Sequence, residues 1–181
     1  MNIPVSFKSP SLETLFALFP PADDVPEHDY VPAKRIPSPY CELLVHEHHM
    51  TVTVERHHGD LVDVRILDRR HDGDTYARKI LLALQGNGRV VQFGIMRIHL
   101  QYCSAAVRRE IVAGQTPLGR ILIQHNVLRR IEPTAFLRVV PSLAMMGWFG
   151  LDRPRPTYGR LAFIYCNEQP AVELLEIVAP E

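Results

Sequence analysis

The sequence predicts an α+β fold in which a six-stranded antiparallel sheet is flanked by helices. Six segments show the alternating or apolar patterns of strands, while other segments carry helix-capping residues followed by a helical period. Hydrophobic residues make up 46% of the chain and charged residues 22%, which is the composition of an ordinary folded protein. With 181 residues, the chain has room for a single core and an additional N-terminal segment.

The N-terminal part is predicted to be a proline-rich arm over residues 1–37, followed by a single domain over residues 38–181. Of the fifteen prolines, eight lie among the first 40 residues. Ser11 is predicted to cap one short amphipathic helix in the arm. The apolar residues of that helix share one face: Leu12, Leu15, Phe16 and Phe19. We therefore expect the arm to pack on the main domain.

The domain is expected to begin with a helix and a β-hairpin. Ser38 as N-cap and Pro39 at the first helical position predict a helix over residues 39–47. After this helix the apolar pattern alternates, which predicts a strand over residues 50–56. A polar turn then leads into a second strand over residues 61–67, so that the two strands form a hairpin.

Two further hairpins and two helices complete the predicted fold. The hairpins are formed by residues 76–84 with 89–100, and by residues 157–166 with 171–179. Between them, Ser104 is predicted to cap a helix that Gly114 terminates. Thr116 is then predicted to cap a shorter helix that begins at Pro117. Consecutive strands with short turns favour an antiparallel sheet.

Charge and cysteine content restrict the class of partner and the compartment. Basic and acidic residues are equal at 20 each, so no net field favours nucleic acid or an acidic membrane surface. The three cysteines are odd in number and widely spaced, which is typical of reduced thiols. No apolar run approaches the roughly 18 residues that cross a bilayer, and the start does not resemble a signal peptide. We expect a cytoplasmic protein without a nucleic-acid partner or a membrane span.

Five histidines lie in VHEHHMTVTVERHH, residues 45–58, and raise the question of a metal site. His46 and His49 have a spacing that a helix could bring together on one metal. His57 and His58 are expected at the far tip of the first hairpin, roughly 20 Å away. Because the two groups cannot share one ion, we expect a solvated helix end and a polar turn, and no metal.

Two charged residues are expected on the inward faces of strands. Arg78 alternates with Ile80 and Leu82, so a buried guanidinium would need a carboxylate from the protein or from a ligand. Glu176 lies among apolar residues of the last strand, with Glu173 on the opposite face. Burial would raise the pKa of Glu176 and a nearby arginine would lower it, which is the tuning of a general acid or base.

The segment TPLGRIL, residues 116–122, offers backbone donors. The amides of Leu118 and Gly119 would be free at a helix N-terminus, where the helix dipole favours an anion. They could form a cradle for a carboxylate. The alternative is that a helix simply begins there.

The order of these segments resembles the bacterial chorismate–pyruvate lyase family, the 4-hydroxybenzoate synthases. The resemblance runs from about residue 38 to residue 180 and rests on four stretches: HHMTVTVERHHG, YARKILL, GQTPLGRIL and ELLEIVAP. It implies a chorismate lyase-like fold with a small ligand enclosed between the sheet and helical flaps, and no metal or cofactor. The implied reaction is elimination of pyruvate from chorismate to give 4-hydroxybenzoate, for ubiquinone or aromatic secondary-metabolite biosynthesis.

The resemblance also implies roles for particular residues. Arg78 would bind a ligand carboxylate, and Glu176 would manage one proton near the ring oxygen at C4. These two would be the catalytic residues. The remaining contacts to the substrate would come from Met50, Thr51, Gly94, Leu118 and Gly119.

One departure from the family pattern concerns a second arginine. Members of one branch have it directly after the strand glycine, where this sequence has Ile95. We expect Arg97, two residues further along the strand, to substitute for it in substrate binding.

Two alternatives to the lyase remain open. One is a lyase that acts on a related substrate, and the other is a non-catalytic ligand-sensing domain of the same fold, as found fused to helix-turn-helix regulators. Residues 1–37 are short and proline-rich for a DNA-binding segment, so the lyase is the preferred interpretation.

Overall fold

A single antiparallel sheet of seven strands organises the molecule. A computed structural model describes residues 9–21 and 25–181. The strands are β1 (Glu27–Val31), β2 (Val62–Asp72), β3 (Thr75–Leu84), β4 (Val90–His99), β5 (Arg129–Val140), β6 (Thr157–Cys166) and β7 (Gln169–Val178). Their order across the sheet is β1-β5-β6-β7-β4-β3-β2. The predicted α+β class is confirmed, with one strand more than expected.

Six α-helices and two short 3₁₀ segments accompany the sheet in the described part of the chain. The helices are α1 (Leu12–Phe16), α2 (Tyr40–Leu44), α3 (Met50–His58), α4 (Ala105–Ala113), α5 (Leu118–Gln124) and α6 (Leu143–Phe149). The 3₁₀ segments are Ala33–Arg35 and Leu100–Tyr102. None of the helices in residues 9–21 and 25–181 is long and apolar enough to cross a bilayer.

The two faces of the sheet are covered by different helices. On the first face, apolar residues of α2, α3, α4 and α5 pack against Ile80, Met96 and Leu174. On the second face, α1 and α6 pack against Phe93 and its neighbours. Both faces are therefore buried, which explains why the central strands are apolar at almost every position.

The second face is built around aromatic stacking. Phe93 lies between Phe16 of α1, with ring centroids 5.8 Å apart, and Trp148 of α6, at 5.3 Å. The predicted capping of α1 by Ser11 is confirmed, and its four apolar residues are buried. The N-terminal segment thus contributes α1 to this core and the edge strand β1 to the sheet. Residues 1–8 and 22–24 of the predicted arm lie outside the described residues.

The prediction of a strand over residues 50–56 is wrong, because this segment forms α3. Its alternating Thr and Val residues mimic a half-buried strand, yet the buried positions are Met50, Thr51 and Val54, which form one helical face. Gly59 ends the helix in the left-handed conformation, at φ +65°. The first predicted hairpin therefore does not exist, and β2 pairs only with β3.

Three other elements were not predicted. Strand β1 lies in the proline-rich segment, and β5 contains Pro133, where its pairing with β6 is interrupted by a bulge. Helix α6 is short, with Ser142 as its N-cap and Gly150 after its last turn. Among the predicted helices, α4 is confirmed with its Ser104 cap, whereas α5 begins one residue later than expected, with Pro117 rather than Thr116 in the N-cap position.

The helical state of residues 50–58 makes a direct prediction about two valines. On a strand, Val52 and Val54 would share a face, whereas on α3 Val54 is fully buried and Val52 is half-buried. We expect Val54→Ala to lower the free energy of unfolding by about 2 kcal/mol, since it removes buried methyl groups and leaves a cavity. The matched Val52→Ala variant should cost well under half of that in urea unfolding. Equal costs for the two variants would contradict the helix.

Candidate functional site

The candidate site lies on the first face of the sheet, under α2 to α5. One row of directly paired residues crosses four strands here: Ile80 in β3, Gly94 in β4, Glu176 in β7 and Arg160 in β6. Paired residues of an antiparallel sheet point to the same face, and so do residues two positions apart on one strand. Arg78 and Glu176 therefore face the same side of the sheet.

Arg160 is the centre of a buried polar network. Its side chain is 1% exposed and its Nε donates to Glu176 Oε2 at 2.7 Å. Its two terminal nitrogens donate to the backbone carbonyls of Leu44, His46 and His48, at 3.3, 2.9 and 3.0 Å. The chain between α2 and α3 is thereby attached to the sheet. Burial raises the pKa of Glu176, and the ion pair with Arg160 opposes that shift.

Arg78 is in a different situation on the same face. It is fully buried, and its Nε donates to Met96 Sδ at 3.3 Å. Its Nη1 and Nη2 atoms have no hydrogen-bond partner, and neither has the hydroxyl of Tyr76. Burial lowers the pKa of the Arg78 guanidinium, and the neighbouring Tyr76 hydroxyl opposes that shift although its geometry falls short of a hydrogen bond. A buried cation whose two terminal donor groups lack an acceptor is rare unless a ligand or a water molecule accepts from them.

A small cavity, called here the inner cavity, is bordered by Met96, the residue that Arg78 contacts; Arg78 itself does not line it. It is lined by the predicted residues Met50, Thr51, Leu118 and Gly119 from the helical cover and by Gln92, Met96 and Glu176, among others, from the sheet. Its volume of about 30 Å³ accommodates one or two water molecules, not a ring. Gly94 lies in the row between Ile80 and Glu176 without lining the cavity.

The first turn of α5 packs tightly on the segment before α3. A Cβ on Gly119 would lie 3.0 Å from His49 Cβ and 3.1 Å from Thr51 Oγ1, so this glycine allows the close approach. The structure therefore brings Met50, Thr51, Leu118 and Gly119 together at one cavity, from two helices rather than from a helix and a strand.

The expectation that Arg97 contributes to this site is wrong. Arg97 is directly paired with Glu173 and points to the second face, as Ile95 does. Its Nε donates to Glu173 Oε2 at 2.5 Å and its Nη2 to Glu173 Oε1 at 2.7 Å. Burial alone would raise the pKa of Glu173, but hydrogen bonds from His99 and Arg97 outweigh it and lower that pKa. Strand alternation thus separates Arg97 from Arg78 and Glu176.

The histidines before α3 are part of the site rather than a solvated helix end. His46 Nε2 contacts the carbonyl of Leu43 at 2.7 Å, and His49 Nε2 accepts from Arg129 Nε at 2.7 Å. An arginine can only donate, so His49 is neutral and carries its proton on Nδ1. Burial lowers the pKa of each imidazole to about 4. The charge of Arg160 adds to this effect at His46, and the charges of Arg129 and Arg160 add to it at His49.

A larger groove lies on the other side of His49. This outer cleft, of about 690 Å³, runs between the start of α3 and the start of β5 and is lined by Glu47, His48, His49, Arg56, Leu128 and Arg129, among others. His49 is 7% exposed and lines both the outer cleft and the inner cavity. It therefore separates the two spaces.

His57 and His58 lie at the end of α3, not at the tip of a hairpin. With Glu181 they form a cluster whose potential ligand atoms all lie within 4.8 Å, the one such group found among the described residues. However, Arg89 Nη2 donates to His58 Nδ1 at 3.1 Å, which places the proton of that imidazole on Nε2, the atom that faces Glu181. A metal at this position would have to displace that proton, so the cluster is better explained by hydrogen bonding.

Sequence reasoning missed Arg160, His49 and Arg129. Arg160 alternates with Ala162 and Ile164 on β6, the same pattern that drew attention to Arg78, so this signal was present. His49 and Arg129 are 80 residues apart, and no periodic signal connects them.

Comparison with solved structures gives the fold. PhnF from Mycobacterium smegmatis matches with a TM-score of 0.55 and 13% identity, over 72% of this chain and 63% of that chain. This chain thus spans less than two thirds of that protein. The effector domain of PhnF matches with a TM-score of 0.50 and 12% identity, over 73% of this chain and 88% of that chain. The ligand-binding domain of a protein assigned to the GntR family of transcriptional regulators, from Bordetella bronchiseptica, matches with a TM-score of 0.49 and 15% identity, over 65% and 85%.

These neighbours share the chorismate lyase-like fold, but membership of the chorismate lyase family is not shown. No protein-family model matches the sequence, and a comparison with curated proteins gives no match either. The prediction of a carbon–oxygen lyase is wrong, because the solved structure that shares the fold over most of its length is an effector domain. Glu176, the expected acid or base, is held in an ion pair by Arg160.

The Arg160–Glu176 pair predicts an unequal effect of two glutamate substitutions on β7. We expect Glu176→Gln to lower the free energy of unfolding by about 3 kcal/mol, because it leaves the Arg160 charge buried without a counter-ion. Glu173→Gln is the matched control. Its partner Arg97 is about one third exposed and can be hydrated, so the loss should be smaller. Urea unfolding of both variants measures the difference, and a larger loss for Glu173→Gln would refute the central role of Arg160.

The neutral histidines predict a loss of stability in mild acid. An unfolded histidine binds a proton near pH 6.5, whereas folded His46 and His49 do so only near pH 4. The unfolded state therefore binds more protons between these values, and the free energy of unfolding falls as the pH falls from about 6.5 to 4. A His49→Gln variant keeps an acceptor for Arg129 without titrating. Its unfolding free energy should depend less steeply on pH than that of the wild type, and an unchanged slope would show that His49 is already protonated.

Proposed function

We propose that this chain is a non-catalytic domain that binds a small organic acid, with Arg78 holding the acidic group of the ligand. The observation that carries the proposal is the guanidinium of Arg78, which is fully buried while Nη1 and Nη2 have no partner. A carboxylate accepts two parallel hydrogen bonds from such a pair of donors. The ligand would supply the carboxylate that the protein does not provide for Arg78.

The balance of charge on the first face supports an anionic ligand. The buried ionic groups of this face, within the described residues, are Arg78, Arg160 and Glu176. Arg160 is paired with the single carboxylate, so one positive charge remains without a counter-ion. Water in the inner cavity could hydrate Arg78 but could not neutralise it. An acid would satisfy both requirements.

The walls of the inner cavity support an apolar body for the ligand. Leu82, Leu118, Ile164 and Leu174 all line it. At the sheet side, Gln92 Oε1 is buried without a partner and offers an acceptor to a hydroxyl or amine group. The ligand class is thus a small organic acid with an apolar core and at least one hydrogen-bond donor.

Binding requires the inner cavity to expand from its present size. The residues that cover it belong to the first turns of α3 and α5, at Met50, Thr51, Leu118 and Gly119. These two helices pack on each other, so a ligand would displace them together, while Arg160 keeps the segment before His49 attached to the sheet. A ligand that stabilises the displaced cover would shift the population toward that arrangement, which is how a sensor domain signals. The descriptions of the structural neighbours as effector and ligand-binding domains agree with this role.

An Arg78→Met variant tests the proposal. Removing an unpaired buried charge should raise the free energy of unfolding of the ligand-free protein by at least about 1 kcal/mol. Small organic acids would be screened by thermal unfolding. A ligand present at a hundredfold excess over its Kd should raise the Tm of the wild type by about 5 to 10 °C, and that of Arg78→Met not at all.

Arg97→Met is the control, since Arg97 lies on the opposite face and should leave the ligand response unchanged. An acid that stabilises Arg78→Met as strongly as the wild type would exclude Arg78 from the site. Destabilisation of the ligand-free protein by Arg78→Met would show that the guanidinium serves the fold.

A further inference from the structure

His49 is the barrier between a nearly filled space and an open one. The inner cavity measures about 30 Å³ and the outer cleft about 690 Å³, which is within the range of small-molecule sites. His49 lines both. If its side chain turned away, the two spaces could join into one channel that leads from the surface to Met96, the residue that Arg78 contacts.

The contact that holds His49 in place is weaker than the one that Arg129 could make with an acid. Arg129 Nε donates to the neutral imidazole at 2.7 Å, and its Nη1 donates to the carbonyl of Val127 at 3.1 Å. No carboxylate pairs with Arg129 among the residues that the structure describes. The bond to His49 is charge-assisted on the arginine side only, whereas a carboxylate adds a full negative charge and can accept two parallel bonds from the guanidinium, so an acid in the outer cleft would replace His49.

The charges that line the outer cleft are mainly positive. Arg56, Arg129 and Arg130 face Glu47, and Arg130 already has a partner in Glu132. Arg56 is exposed to solvent. The cleft as a whole therefore attracts an anion rather than a cation.

The outer cleft also carries apolar surface. Leu128 is 66% exposed and Ile123 is 37% exposed, and both line it. Apolar side chains beside unpaired arginines match an organic acid with a hydrocarbon chain better than an inorganic anion.

We propose that the ligand site continues past His49 into the outer cleft, and that the ligand is an elongated organic acid whose second acidic group is bound by Arg129. This inference rests on the proposed function, which assigns the first acidic group to Arg78. The hydrocarbon segment between the two acids lies where His49 now separates the spaces. His49 is a positioning residue in this arrangement, since it releases Arg129 when the second acid arrives.

The test is a comparison of linear α,ω-dicarboxylic acids from glutarate to azelate with monocarboxylic acids of the same length, measured by isothermal titration calorimetry. One dicarboxylate length should bind the wild type about tenfold or more tightly than its monocarboxylate counterpart, which is the effect of one added charge-assisted contact. Arg129→Gln should abolish this advantage and leave the affinity for the monocarboxylate unchanged. Arg129→Lys, which keeps the charge, should retain part of the advantage.

Arg109→Gln is the matched control, because Arg109 is an exposed arginine that does not line the outer cleft. It should preserve the preference for the dicarboxylate, and circular dichroism should show that every variant is folded. If monocarboxylates bind in an Arg78-dependent manner but no dicarboxylate has an advantage, the second subsite is refuted and the proposed function stands. A dicarboxylate advantage that survives Arg129→Gln also refutes it. If no acid of either series depends on Arg78, the proposed function fails and the inference fails with it.

Discussion

The buried guanidinium of Arg160 is the constraint on which the rest of the site depends. It joins the carboxylate of Glu176 to three backbone carbonyls of the segment between α2 and α3. That segment has little regular structure of its own, so the guanidinium supplies the hydrogen bonds that attach it to the sheet. By binding them, Arg160 fixes where α3 begins and hence where His49, Met50 and Thr51 lie.

The buried charge of Arg78 on the first face of the sheet lowers the stability of the protein, and the fold does not require it. Arg160 and Glu176 neutralise each other, whereas Arg78, the fourth residue of β3, has no counter-ion. A methionine or leucine at this position would fill the same space without desolvating a charge. Proteins retain such costs where function requires them, which is why Arg78 rather than Glu176 carries the functional argument.

Strand β7 shows how the face of a sheet decides the role of a residue. Glu173 and Glu176 are both buried carboxylates with an arginine partner on a neighbouring strand. Because their spacing is odd, they lie on opposite faces. Glu176 borders the inner cavity under α3 and α5, while Glu173 is held by the partly exposed Arg97 and by His99. The same chemistry therefore supports a ligand cavity on one face and a structural ion pair on the other.

The sequence by itself determined the elements whose signals are local. Apolar alternation and turn residues predict the meander of β2, β3 and β4 and the hairpin of β6 and β7, and Ser or Gly at helix ends predicts the caps of α1 and α4. Strand periodicity and antiparallel pairing predict the shared face of Arg78 and Glu176. Only the tertiary structure decided that residues 50–58 form a helix. Alternating Thr and Val fit a strand locally, but the packing of Met50, Thr51 and Val54 against the core overrides that preference. It also decided the partners of Arg160, His49 and Arg97, because contacts between residues 76 to 114 positions apart leave no periodic trace in a single sequence.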